Sequence, residues 1–338
     1  MSGRPGRSLL FFAVLLLGVG LAYLGEGPGF SALLGCLLDP FGNAPGTDSI
    51  DRFVLTQIRL PRLLVAGFGG AAIAVAGAVM QSTFRNPLAS PDLVGTAAGA
   101  AFGGALALVL GFEGSVIVAV PLASLAGATV VTTLVFALAG SYGRFSVAGL
   151  LLAGAALNTL VGALTAFAVT FRFDNYAASS RVLFWLMGGL EARTWHHVLI
   201  TAGGFVLFGA LVRPRARDLD LLTLHDDSAH SLGVDAQRTR RVLLWFACGL
   251  TATTVANTGG IAFVGLVVPH LARLLVGPTH RILLPASALL GALLLVASDL
   301  LCRLAPPGAN LRLGVVTAIL GAPYFLFLLA RHRRGEAL

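Results

Sequence analysis

Of the chain's 338 residues, 57% are hydrophobic and 11% charged, against about 25% charged in a soluble domain, so the composition excludes a water-soluble globular protein and describes a polytopic helical membrane protein. The net charge of +8 would suit nucleic acid in a soluble chain, but here it reflects arginines flanking apolar spans, and no nucleic-acid partner is expected. All 23 basic residues are arginine, and GxxxxGK[ST], whose lysine reaches nucleotide phosphates, is absent, which excludes a standard ATPase site in this polypeptide. Cys36, Cys248 and Cys302 are too widely spaced for a disulfide framework or a CxxC metal site; no metal or cofactor is expected.

Residues 1–7 are basic, and 18 uncharged residues follow before Glu26. That pattern also opens a signal peptide, but no small-x-small site closes it, so a first transmembrane helix is expected. Residues 26–58, rich in Gly, Pro and Asp, predict an external loop with a short amphipathic piece over 30–38. Arg59-Leu60-Pro61-Arg62 then precedes 22 uncharged residues, and Pro61 suits a helix start. In their commonest use such arginines anchor a span at the interface. Residues 77–95 are interrupted by Arg85-Asn86, Pro87 and Pro91, after which Gly95, Gly99 and Gly103 recur every four residues, a spacing that lets a neighbouring backbone approach closely. Further spans are expected over 114–143, 145–171 and 194–212. Around the stretch between the last two, Tyr176, Trp185 and Trp195 fit an interfacial belt, with a short helix ending at Gly188 and Gly189 on the outer surface.

Residues 213–241 are the one long polar interval, holding 11 charged residues in 29 positions. Each would cost about 2.5 to 3.5 kcal/mol at the bilayer centre, so the interval lies in water. Asp220 is expected to cap a short helix over Leu221 to Leu224, and Asp226 or Asp227 a second over Ser228 to Leu232, with Gly233 as its stop. The resulting knob is the place for a cytoplasmic partner to push on the membrane domain.

Residues 242–272 give 31 positions without a charge, about 46 Å as one helix, too long for one crossing of a 30 Å core and too short for two. Asn257, Thr258, Gly259 and Gly260 break the run. A non-helical turn at that depth needs a cover of protein or a water-filled cavity, which makes Asn257, Gly259 and Gly260 a candidate pathway element. Counting two arms gives ten crossings with 15 arginines inside and eight outside, whereas one arm gives nine crossings with 12 and 11, and the positive-inside rule favours ten. Spans over 282–298 and 313–330 complete an all-α protein with both termini cytoplasmic. It forms one transmembrane domain over 1–338, with helices 1 to 6 in 1–212, the polar interval 213–241, and helices 7 to 10 in 242–338. Five helices on either side of the interval place the halves in opposite topology.

These residues together resemble the permease family of type II ABC importers, the FecCD-like iron(III)-siderophore, vitamin B12 and haem permeases. The likeness rests on Arg59-Leu60-Pro61-Arg62, Gly77-Ala78-Val79-Met80-Gln81, Arg85-Asn86-Pro87-Leu88-Ala89, Trp185-Leu186-Met187-Gly188-Gly189, Ser231-Leu232-Gly233-Val234, residues 260–266 (GIAFVGL), Pro269-His270-Leu271-Ala272-Arg273 and Gly321-Ala322-Pro323. The resemblance implies a non-enzymatic permease subunit in a bacterial inner membrane, working as a homodimer with the substrate path on its two-fold axis. Its partners would be two cytoplasmic ATPase subunits, a periplasmic or lipid-anchored substrate-binding protein and the lipid bilayer. Arg59, Arg62 and Arg303 match positions that receive acidic residues of the binding protein. Asn86, Leu88, Ser146 and Val147 resemble the cytoplasmic gate. Leu221, Leu222, Leu224, Asp226, Ser228, Ala229, Leu232 and Gly233 fall where the ATPase couples. The first substrate expectation is an iron(III)-siderophore, with cobalamin or haem as alternatives.

The chain departs from the family where Asn310-Leu311-Arg312 replaces the usual Glu-Leu-Pro, and in carrying His225 and Asp226 in the knob. A rival class is an ion-driven secondary transporter, which places acidic groups or histidines at mid-membrane; here Asp92, Glu113, Glu191 and Asp299 fall at span ends. HExxH and GxSxG are missing, which weighs against an intramembrane enzyme. His270 has no second ligand at helical spacing and reads as structural, His196 and His197 read as interfacial, and Asp299 and Arg303, four apart, are spaced for a local ion pair.

Overall fold

A computed structural model describes residues 5–26, 49–112, 119–140, 147–170, 176–224, 231–306, 309 and 311–333, and every regular element among them is helical. In chain order the α-helices are α1 Pro5–Gly25, α2 Ser49–Phe53, α3 Leu60–Thr83, α4 Thr96–Val109, α5 Ala119–Gly140, α6 Val147–Thr170, α7 Tyr176–Leu186, α8 Trp195–Val212, α9 Ala216–Leu222, α10 Ala236–Thr258, α11 Val264–Val276, α12 His280–Leu304 and α13 Leu313–Arg333. Six stretches among the described residues, 6–25, 50–83, 119–140, 147–170, 195–222 and 280–304, are long and apolar enough to cross a bilayer. Shorter apolar helices cover 96–109, 264–276 and 313–327.

The bundle is organised around α3. Most of this span is buried, whereas α1 and α6 are largely exposed. The reason is composition: α3 is dominated by Gly and Ala, and between helices in lipid the attraction comes from close backbone packing rather than from expelling water. A Cβ on Gly70 would overlap the carbonyl of Gly291 in α12, and one on Gly77 would overlap that of Gly265 in α11. Two apolar clusters meet along α3: one gathers Val79, Met80, Leu150, Leu219, Leu222, Leu243 and Leu244, the other Val65, Ile73, Leu283, Leu295 and Leu313. The expected four-residue glycine spacing has the same use, because Gly99 and Gly103 of α4 lie against the backbone of Gly127 and Ala123 in α5.

Two expectations need correction. Helix resumes at Ser49 rather than after residue 58, so Pro61 does not start it. The chain instead passes Pro61 by widening into a π-helical turn over Val54–Arg59, where the N–H of Leu60 donates to the carbonyl of Leu55. The wider turn accommodates the missing proline N–H and the ring's demand on the preceding turn. Asp220 does not cap a helix over 221–224 either. It lies inside α9, and its carboxylate accepts from the backbone N–H of His280 at 3.0 Å, capping α12 from another element. The amphipathic piece over 30–38, the second knob helix over 228–232 and Cys36 lie outside the described residues.

Candidate functional site

At one end of the bundle, α1, α3 and α12 are joined by a charged cluster. Asp299, 1% exposed, takes two hydrogen bonds from Arg62, Nε to Oδ2 and Nη2 to Oδ1, both 2.8 Å, and a third from the Tyr23 hydroxyl at 2.6 Å. Arg303 pairs with Glu26 at 2.7 Å, donates to the Tyr23 carbonyl at 3.2 Å and lies over the Tyr23 ring at 4.5 Å. Arg59 donates to the carbonyls of Leu24 and Glu26 at 2.9 and 2.6 Å. The structure thus brings Arg59, Arg62 and Arg303 together, each already engaged. The four-residue spacing of Asp299 and Arg303 did not reveal the partners, since Asp299 pairs with Arg62 across helices and Arg303 with Glu26. Arg312, a departure from the family pattern, pairs with Glu191 at 3.0 Å and stacks on Phe184 at 4.1 Å. Nearby, burial pushes the Arg193 guanidinium down to about 10, against the opposing pull of Glu191.

The break expected in 242–272 falls at Gly259, but its arms are unequal. Asp235 caps α10 by accepting from the N–H of Arg238, so the first arm starts among the charges and has 23 residues, whereas α11 has 13. Gly259 has φ 68° and ψ −157°, a region closed to other residues. The loop of residues 187–189 covers the turn: Gly189 N–H donates to the Thr258 carbonyl at 2.8 Å, and Gly314 N–H at the start of α13 donates to Met187 at 3.2 Å. A Cβ on Gly259 would overlap the Trp185 carbonyl. Asn257, fully buried, donates to Thr201 Oγ1 at 2.8 Å and so fastens α10 to α8. Phe263 enters α11 at φ 65°, an uncommon conformation for an aromatic residue, with Gly321 of α13 against its ring. Asn257, Gly259 and Gly260 are therefore brought into one joint, covered by protein.

At the opposite end, α3 stops at Thr83 and the chain turns through Arg85 at φ 49°. Asn86 Oδ1 accepts from the N–H of Leu88 at 2.9 Å, and Leu88 is 40% exposed. Val147 opens α6 and packs against the first apolar cluster; Ser146 is outside the described residues. Helix α9 turns Ala216, Leu219 and Leu222 into the core. Leu222 is fully buried, Leu221 half-buried, while Leu224 and Leu232 are exposed and Gly233 has the left-handed conformation expected of it, φ 85°. Asp226, Ser228 and Ala229 lie outside the described residues. Arg85 Nε donates to the Leu222 carbonyl at 2.7 Å, and Arg240 Nε to the Thr83 carbonyl at 3.2 Å, so the polar interval is tied to the end of α3. Sequence reasoning missed His280 and Ser82, which meet at this end of the bundle; the only signal was an unexplained histidine at the start of α12. Among the described residues no cluster of three His, Cys, Asp or Glu side chains could hold a metal.

An all-helical bundle of apolar spans, with a covered break inside it and a charged cluster at one end, defines a polytopic membrane protein of the transport type. The model of the FecCD transport family matches residues 8–331, and the chain belongs to that family. It is 42% identical over 297 residues to the cobalamin import system permease BtuC of Halobacterium salinarum, covering 87% of this chain and 77% of that one. To the Fe(3+) dicitrate permease FecD of Escherichia coli it is 44% identical over 283 residues, 83% and 86% of the two chains. To the hemin permease HmuU of Yersinia pestis it is 38% identical along the full length of both chains. A solved structure described as an inward-facing metal-chelate type ABC transporter superposes with a TM-score of 0.83 at 31% identity, covering 96% of this chain and 99% of that one.

Proposed function

We propose that the chain is the membrane-spanning permease of an ATP-driven importer for a metal chelate, first an iron(III)-siderophore, with cobalamin or haem as alternatives. The observation that carries the reading is the likeness to the metal-chelate ABC transporter along nearly the whole chain. In this reading α10 joins the six long and three short apolar helices to make ten crossings in two five-helix halves of opposite topology, with both termini cytoplasmic in a bacterial inner membrane. Two copies form a homodimer around the path and work by alternating access.

The end carrying Arg59, Arg62 and Arg303 faces outwards and receives acidic residues of a substrate-binding protein. Because each arginine already has a partner, docking is an exchange: incoming carboxylates displace Glu26 from Arg303 and the carbonyls from Arg59, while Arg62 remains on Asp299 as their support. Asn257, Gly259 and Gly260 form a joint beside the path. Asn86, Leu88, Ser146 and Val147 form the cytoplasmic gate, where an apolar side chain such as Leu88 and its symmetry mate can close a constriction. The ATPase subunits grip residues 216–233, with Leu224 and Leu232 available to them and Leu222 holding α9 to the core.

The test is a cysteine placed at Leu224 in a cysteine-free chain, probed in sealed inside-out and right-side-out vesicles. A membrane-impermeant thiol reagent is expected to label it from the cytoplasmic side only, and the co-expressed ATPase to protect it. Labelling from the outside would overturn the topology and the motor assignment together.

A further inference from the structure

We propose that Asp220, His280 and Ser82 form the transmission between the coupling helix α9 and the gate end of α3, acting as positioning residues for the transport step. The inference rests on reading 216–233 as the ATPase dock.

Thr279 holds the N-cap position of α12 but makes no capping bond with its side chain. The cap comes from Asp220, one of whose carboxylate oxygens accepts both the His280 backbone N–H at 3.0 Å and the His280 ring Nδ1–H at 2.6 Å. An Nδ1–H donated to a carboxylate fixes the tautomer and leaves Nε2 as an acceptor. Ser82 Oγ lies 2.5 Å from that Nε2, to which it donates, and 3.0 Å from the Ala78 carbonyl of its own helix, so its one proton is shared between the ring and that carbonyl. Ser82 sits in the last turn of α3, 2% exposed, and His280 is 1% exposed. Three side chains therefore connect three elements, from a carboxylate facing the coupling segment to a buried hydroxyl next to the gate loop.

The surroundings give this connection mechanical meaning. Cavities of about 710 and 530 Å³ open on its two sides, and Asp220, Thr279 and His280 line both. The polar face of α9 thus meets α12 across a narrow bridge with open space at either hand, while its apolar face is held by Leu219 and Leu222. Arg85, three residues past Ser82, returns to the Leu222 carbonyl, so the end of α3 is bound to α9 from two directions. Short hydrogen bonds to a charged group are stiff compared with the empty space beside them. Movement of α9 reaches the turn at Arg85 and Asn86 by two routes, through His280 to Ser82 and directly at the Leu222 carbonyl. A cap alone would need only Asp220 and the start of α12; the link to Ser82 contributes nothing to it.

That difference sets the experiment, performed on the full complex of permease, ATPase and binding protein in proteoliposomes. ATP hydrolysis and chelate uptake are measured together. Ser82→Ala leaves the Asp220 cap intact and cuts the chain at α3; uptake per ATP is expected to fall at least about fivefold, the scale of one lost buried hydrogen bond. ATPase binding is expected to stay at the wild-type level, and Ser82→Thr, which keeps the hydroxyl, to restore the ratio. His280→Asn keeps a donor for Asp220 but does not reach Ser82, and it cuts the same link should the alanine variant fail to assemble. An unchanged ratio in these variants, beside a normally coupled wild type, overturns the transmission alone. A wild-type complex whose uptake is independent of ATP overturns the parent reading as well.

Discussion

Replacing Asp299 with alanine tests the charged cluster that closes α1, α3 and α12. The carboxylate is 1% exposed and accepts three hydrogen bonds, two from Arg62 and one from Tyr23. Its loss leaves the Arg62 guanidinium, 18% exposed, facing a hole, and breaking a buried pair from one side costs about 3 to 5 kcal/mol. Against a total stability of about 5 to 15 kcal/mol this is a large fraction. Thermal unfolding followed by tryptophan fluorescence in detergent is expected to show Tm lowered by roughly 5 to 10 °C, from the usual few degrees per kcal/mol. Removing the whole polar set, with Asp299→Leu, Arg62→Leu and Tyr23→Phe together, is expected to recover most of that loss, because no charge or hydroxyl is left unpaired. An Asp299→Ala chain that melts within about 1 °C of wild type would mean that nothing depends on this buried charge.

Gly259→Ala and Gly277→Ala both strain a positive φ, but only the first drives a Cβ into backbone, so Gly259→Ala should abolish a monodisperse gel-filtration peak that Gly277→Ala preserves. Leu224→Asp with Leu232→Asp should weaken ATPase binding by roughly tenfold or more in a pull-down while leaving Tm unchanged, since both side chains are exposed. Charge reversal at Arg59 and Arg303 should weaken binding-protein docking more at low salt than at high, read by surface plasmon resonance at two ionic strengths. Equal affinity for mutant and wild type would leave these arginines as structural groups.

The sequence made the helical class and the break legible for one physical reason: in an apolar background, Asn257 and Gly259-Gly260 stand out locally. It misplaced the arms of that break because a charge-free run was used as the measure of a helix. Charges do not end a helix, and α10 runs back through Arg241, Arg240 and Arg238 to its cap at Asp235. The same limit explains Pro61, where a single π-turn lets the helix pass a residue that would ordinarily start one. The partners at both ends were illegible because they come from distant segments. Asp220 is 60 positions from His280 and Ser82 is 198, Arg62 is 237 from Asp299, and periodicity within one helix carries no information about such pairs. The family motifs carried more, since they marked Arg59, Arg62 and Arg85-Asn86 as positions of interest before any contact was known. The engagement of those arginines within the chain itself emerged only from the packing of α1 and α12 against α3.

As a gated path driven by a separate ATP-hydrolysing subunit, the proposed role for this chain, it should move nothing on its own. The most direct measurement is uptake of labelled chelate into liposomes containing the purified chain, with its binding protein on the outside. Uptake is expected only when the ATPase subunit and ATP are present within, and to be unaffected by imposed proton or sodium gradients. Uptake by the chain alone under an ion gradient would contradict the account.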